Sequence, residues 1–150
     1  MSMSAFQTGH IGLNVTDLDR SAAFYQSVFG FEISGRSQQE GKEYAFLSQD
    51  GTLVLTLWRQ SEGRFPTATP GLHHLSFRVE GLHEVQQAEA ALREIGATIH
   101  HGGIVPHGEG ASSGGVFFED PDGIRLEIFA PDGAGDRPAP SGSAPTCGFF

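Results

Sequence analysis

The chain has 150 residues and a formal net charge of -9, from 18 acidic against 9 basic side chains. Hydrophobic residues make up 38% and charged residues 18%, which is enough apolar material for a core and excludes charge-driven disorder. The acidic balance argues against nucleic acid and anionic membrane surfaces. One cysteine, Cys147, excludes an internal disulfide and fits a cytoplasmic setting, with no secretory leader or spanning segment expected.

In chain order, His10–Val15 alternates, with Ile11, Leu13 and Val15 on one face and His10, Gly12 and Asn14 on the other, so a strand with one apolar side is predicted. Thr16-Asp17 is a cap signal for a helix running to about Phe29, with Leu18, Ala22, Tyr25 and Phe29 on one stripe and Gly30 at the C-cap. Strands are predicted at Phe31–Gly35, Glu43–Ser48 and Thr52–Trp58, the last two joined through Gln49-Asp50-Gly51. The same order then recurs. His74–Val79 alternates, with His74, Ser76 and Arg78 on the face opposite Leu75, Phe77 and Val79. Leu82–Ile95 is helical, and Thr98–His101, Gly115–Glu119 and Ile124–Phe129 are strand candidates, the last preceded by Pro121-Asp122-Gly123.

Such an internal repeat decides the architecture. The fold class is α+β, two βαβββ modules forming an eight-stranded cup. One domain is expected over residues 1–131, with module one at about 8–60 and module two at about 72–131. Residues 132–150 are a Pro-, Gly-, Ser- and Ala-rich tail without periodicity, for which Phe149 and Phe150 are the available anchors.

The chemistry follows from facing. In Ile124–Phe129, Arg125, Glu127 and Phe129 point away from the helix, as do His10 and His74 at the starts of the two modules. If the modules pair about a pseudo-two-fold axis, two imidazoles and one carboxylate meet. That set with open positions suits a divalent first-row metal, including the facial triad of non-haem Fe(II) enzymes.

These residues resemble the vicinal oxygen chelate superfamily, which contains glyoxalase I, bleomycin-resistance proteins, extradiol dioxygenases and fosfomycin-resistance thiol transferases. The resemblance rests on the segment from Gly9-His10 to Val15, Ser21-Ala-Ala-Phe-Tyr25 leading to Phe29-Gly30-Phe31, His74–Val79, and above all Phe117-Phe-Glu-Asp-Pro-Asp-Gly-Ile-Arg-Leu-Glu127. It implies that His10, His74 and Glu127 are metal ligands, with Fe(II) favoured and Mn, Zn or Ni as alternatives. It also implies a small-molecule substrate and a homodimer.

Glyoxalase I typically carries a further carboxylate in module one. Aligning the two Asp-Gly turns puts Leu55 at that position, so the fourth ligand and usual second base are missing. Asn14, Leu55, Ser76, Arg78, Arg125 and Phe129 are expected to line the substrate site, a set whose two guanidiniums and apolar side chains suit a flat anion. Arg125 balances substrate charge, and His107, in the loop Val105-Pro-His-Gly-Glu-Gly110, is a candidate proton shuttle. His73 is expected on the helical face, and His100 and His101 at the surface. The function implied is an Fe(II) dioxygenase or oxidative ring-modifying enzyme acting on a small aromatic or enolisable, catechol- or polyketide-like substrate. The alternatives are a glyoxalase-like lyase or isomerase, a thiol transferase, or an antibiotic-sequestering protein.

Overall fold

The computed structural model describes residues 4–150. The chain divides between Gly63 and Arg64 into two compact units. The first holds β1 (Ile11–Asn14), α1 (Leu18–Phe29), β2 (Glu32–Ser37), β3 (Tyr44–Gln49) and β4 (Thr52–Trp58). The second holds β5 (Leu75–Arg78), α2 (Leu82–Glu94), β6 (Val105–Pro106), β7 (Gly114–Glu119) and β8 (Arg125–Ala130), then a 3₁₀ turn at Thr146–Gly148. Among the described residues the eight strands form two four-stranded sheets, ordered β1-β4-β3-β2 and β5-β8-β7-β6. In each sheet the module's first strand runs parallel to its last. The repeat read from the sequence is therefore a repeat of topology.

Local signals explain the helix ends. Asp17 is extended, and its carboxylate accepts from the Arg20 N–H at 3.1 Å. Gly30 ends α1 in the left-handed region at φ 73°, where a Cβ is disfavoured. Loss of an N-cap costs about 1 kcal/mol, so Asp17→Ala is expected to lower the melting temperature by roughly 2–4 °C for a chain of this size. Thermal unfolding followed by circular dichroism checks this, and an unchanged midpoint would show that the cap contributes nothing.

Each sheet buries one face against its helix. In the first unit Leu13, Ala45, Leu47, Leu55 and Leu57 lie on that face, with Ala22 and Tyr25 of α1 also buried. In the second, Leu75, Val116, Phe118, Leu126 and Ile128 do the same with Val85, Ala88 and Leu92 of α2. Burying several aliphatic side chains per sheet, at about 1.5–3 kcal/mol each, is what orients the opposite faces.

Two expectations about the strands need correction. Thr98–His101 is not a strand; only Ile99 makes an isolated bridge, to Phe118. His101, Gly102 and Gly103 all take positive φ, which breaks the extended run, and the edge strand forms later, at Val105–Pro106. More important, Leu55 does not line a substrate site. It pairs with Ile11 and with Leu47, sits on the helix-facing side and is fully buried.

The cause is a β-bulge. The β3–β4 register runs Leu47 to Leu55 but Ser48 to Leu53, so Val54 is an extra residue in β4. No such shift occurs between β7 and β8. Counting from the Asp-Gly turn therefore falls one residue short, and a one-residue slip exchanges the two faces of a strand.

Candidate functional site

Register identifies the counterparts in the two modules. Ser76 pairs with Glu127, and Phe117 also pairs with Glu127. In the first module Gly12 and Phe46 both pair with Thr56. Thr56, not Leu55, therefore stands where module two has Glu127. It is neutral and buried, and its hydroxyl oxygen accepts from Trp58 Nε1 at 2.9 Å. The first module thus still lacks a carboxylate at that position. His10 and His74 are also counterparts, each two residues ahead of the paired Gly12 and Ser76. His10 is exposed and lies just ahead of β1 in the first unit.

In the second unit, Ser76, Arg78, Phe117, Arg125, Glu127 and Phe129 share the face away from α2. Glu127 is 3% exposed. A buried carboxylate needs partners; the His107 imidazole supplies one, and the His74 ring stands nearby. His107 Nε2 contacts Glu127 Oε2, and His107 Nδ1 lies 2.8 Å from Ser113 Oγ. A carboxylate only accepts, so the His107 Nε2–H donates to it; in the neutral ring Nδ1 then accepts from the Ser113 hydroxyl. His74 Nε2 is 3.9 Å from Glu127 Oε1. Burial pushes the His74 pKa down, partly opposed by the Glu127 charge, so the ring is neutral at neutral pH and keeps a lone pair for a cation.

This donor chemistry suits a divalent first-row ion. Bonds from imidazole and carboxylate to such an ion are about 2.0–2.2 Å, so His74 Nε2 and Glu127 Oε1, 3.9 Å apart, can both reach one ion lying between them at a wide angle. Among the described residues, no three His, Cys, Asp or Glu side chains stand ready-made to hold a metal.

The other expected residues divide. Ser76 and Arg78 are exposed on the site face. The Phe129 ring centroid is 5.1 Å from that of His107. Arg125 Nε donates to the His73 carbonyl at 3.0 Å, tying β8 to the start of β5. Asn14 is committed elsewhere: its amide brackets the backbone of Gln60, accepting at 2.9 Å and donating at 3.3 Å. His73 is not packed on the helical face but exposed, with Nδ1 2.9 Å from His74 Nδ1. His100 and His101 are half-buried, and His100 Nε2 lies 2.8 Å from Glu119 Oε2.

The tail is the main feature that sequence reasoning left open. It packs on the site face. Phe149 is the anchor, while Phe150 is 80% exposed. Burial, reinforced by the Glu127 charge, pushes the Cys147 thiol pKa up, which places this residue within electrostatic reach of the buried carboxylate.

Comparison with known proteins matches this architecture. A catechol-2,3-dioxygenase of Bacillus subtilis (strain 168) is 29% identical over 141 residues, covering 90% of this chain; the chain spans only 44% of that relative's length. Glyoxylase I 4 of Arabidopsis thaliana is 30% identical over 124 residues, covering 79% of this chain and 67% of the relative. Among solved structures, a glyoxylase/bleomycin resistance protein/dioxygenase domain from Frankia sp. EAN1pec superposes with TM-score 0.72 at 28% identity, covering 85% of this chain and 93% of that one. A fosfomycin resistance protein, FosX, from Listeria monocytogenes, solved with Mn(II) and 1S,2S-dihydroxypropylphosphonic acid, shares the fold. Its TM-score is 0.64 at 21% identity, with 86% of this chain and 93% of that one covered. With residues 7–128 matched by its family model, the chain belongs to the Glyoxalase/Bleomycin resistance protein/Dioxygenase superfamily.

Proposed function

We propose that this protein is a metal-dependent dioxygenase of the superfamily, acting as a cytoplasmic homodimer on a small aromatic or enolisable substrate. His10, His74 and Glu127 are the metal ligands in this reading, and Fe(II) is the favoured metal. The observation that carries it is the buried Glu127 carboxylate beside the neutral His74 imidazole, with His10 at the position equivalent to His74 in the repeat.

Three protein ligands leave coordination sites free. A bound divalent ion supplies Lewis acidity and a template for two neighbouring substrate oxygens. The chain's own residues do the rest. Ser76 and Phe129 flank Glu127 on the face where the substrate lies, and the Arg78 and Arg125 guanidiniums balance its anionic charge. His107 holds a proton at Nε2 against Glu127, the place for a group that receives or returns a proton beside the metal. Thr56 in place of a second acid argues against a glyoxalase I reaction, which needs a base from that position.

The test is oxygen consumption. Protein reconstituted with Fe(II) is expected to take up oxygen in the presence of a catechol, and His74→Ala to abolish that uptake. Turnover of the same compounds under strict anaerobiosis would overturn the dioxygenase reading in favour of a lyase, isomerase or thiol transferase. Ligand binding indifferent to chelator would point to sequestration.

A further inference from the structure

The C-terminal segment is bound to the site face by a specific set of contacts. Thr146 is fully buried; its hydroxyl donates to the Pro106 carbonyl at 2.8 Å and its N–H to the His107 carbonyl at 2.9 Å. Its own carbonyl accepts from His101 Nε2 at 3.1 Å. Three hydrogen bonds at one residue anchor the segment immediately beside the loop that presents His107. Beyond that anchor the chain turns through the left-handed region at Phe149, φ 59°, an unfavourable conformation for a bulky side chain.

The turn delivers the Phe149 ring into a seat made for an aromatic ring. Phe117 meets it edge to face at 5.5 Å and 87°, and His100 at 5.0 Å and 81°. His74 lies against it at 5.7 Å. Arg125 places its guanidinium carbon 5.0 Å from the ring centroid, within cation–π range. None of these contacts uses anything peculiar to phenylalanine: edge-to-face packing and a cation under the ring serve any flat π system. Two of the groups, His74 and Arg125, belong to the proposed catalytic set, and a third, Phe117, is the strand partner of Glu127.

We propose that the Phe149 seat is the binding site for a ligand's aromatic ring, occupied in the free protein by the chain's own tail, so that an aromatic ligand binds by expelling Phe149. The proposal rests on the reading of the Glu127 face as the substrate site and deepens it. It names a monocyclic aromatic ring as the recognised group and assigns the tail the role of a built-in competitor. A competitor tethered to the same chain lowers apparent ligand affinity by the fraction of time it leaves the seat free. Opening the anchor at Thr146 raises that fraction without touching the seat.

Cys147 reports the event, since it lies between the anchor and the ring. It is half-buried when the tail is docked, and burial together with Glu127 keeps its thiol protonated. The experiment measures the rate of Cys147 alkylation by iodoacetamide in the full-length, chelator-treated protein at fixed pH, with increasing phenol, against cyclohexanol as a non-aromatic control. Phenol is expected to raise the rate saturably by about tenfold or more, because an undocked minor state holds at most about a tenth of the population. Cyclohexanol is expected to leave it unchanged. Phe149→Ala and Thr146→Val are expected to show the fast rate without phenol, and Thr146→Val to bind phenol several-fold more tightly by calorimetry.

Equal acceleration by cyclohexanol, or phenol binding with no change in the Cys147 rate, would overturn the proposal. So would unaltered phenol affinity in Thr146→Val. Because the measurement is made without metal, phenol-driven release in a protein that never consumes oxygen would sink the dioxygenase reading alone. Oxygen uptake with an immobile tail would sink only this one.

Discussion

Glu127→Gln is expected to lower Fe(II) and Mn(II) affinity by more than the roughly 10–100-fold that loss of an outer partner of a metal ligand costs, and to abolish metal-dependent turnover. The amide has the shape of the carboxylate and still accepts from His107, so the fold is expected to survive. What disappears is the negative charge. In the parent protein that charge is 3% exposed and faces two imidazoles, one neutral through burial and one donating to it. In the proposed reading that charge serves a cation. Anaerobic calorimetric titration and elemental analysis of the purified variant check the result. Parent-like metal content would remove Glu127 from the ligand set and leave the imidazoles without the acid that the proposed chemistry requires.

Leu55→Ala is expected to cost about 2–5 kcal/mol, as for other leucines emptied from a packed core, and so to lower the melting temperature by roughly 5–20 °C for a chain of this size. The basis is the register: Leu55 stands beside Ile11 and Leu47, fully buried on the side that packs against α1. A leucine lining a ligand site would behave differently, leaving the melting point nearly untouched while altering ligand affinity. Denaturation and ligand titration on the same sample separate the two. Parent-like stability with changed binding would restore the facing implied by counting from the Asp50-Gly51 turn.

These two positions show where sequence reasoning held and where it failed. At Glu127 the alternation of Ile124, Leu126 and Ile128 with Arg125, Glu127 and Phe129 runs unbroken from the turn, and the structure keeps that facing. At Leu55 the alternation is interrupted by Val54, an apolar residue among apolar residues. No change of polarity marks the bulge, so only cross-strand pairing shows which side each leucine takes. Helix α1 is legible because Asp17 and Gly30 are punctuation that acts within one turn of chain. The predicted Thr98–His101 strand fails because His101 adopts a left-handed backbone that nothing but the glycines following it signals.

The candidate site divides along the same line. His74 and Glu127, and the counterpart position of His10, are set by the repeat and by strand period, both local properties of the chain. The contact between His107 and Glu127 depends on where a glycine-rich loop folds back, and the docking of Phe149 on how a tail without periodicity finds an aromatic seat. By itself, then, the sequence determined the duplicated architecture, its helix boundaries and the residue types available for a metal. The tertiary structure alone decided the face of Leu55, the partner of His107 and the place of the tail. The division has a physical origin: periodicity and capping act over a few bonds, whereas register, loop closure and ring packing depend on contacts between residues far apart in the chain.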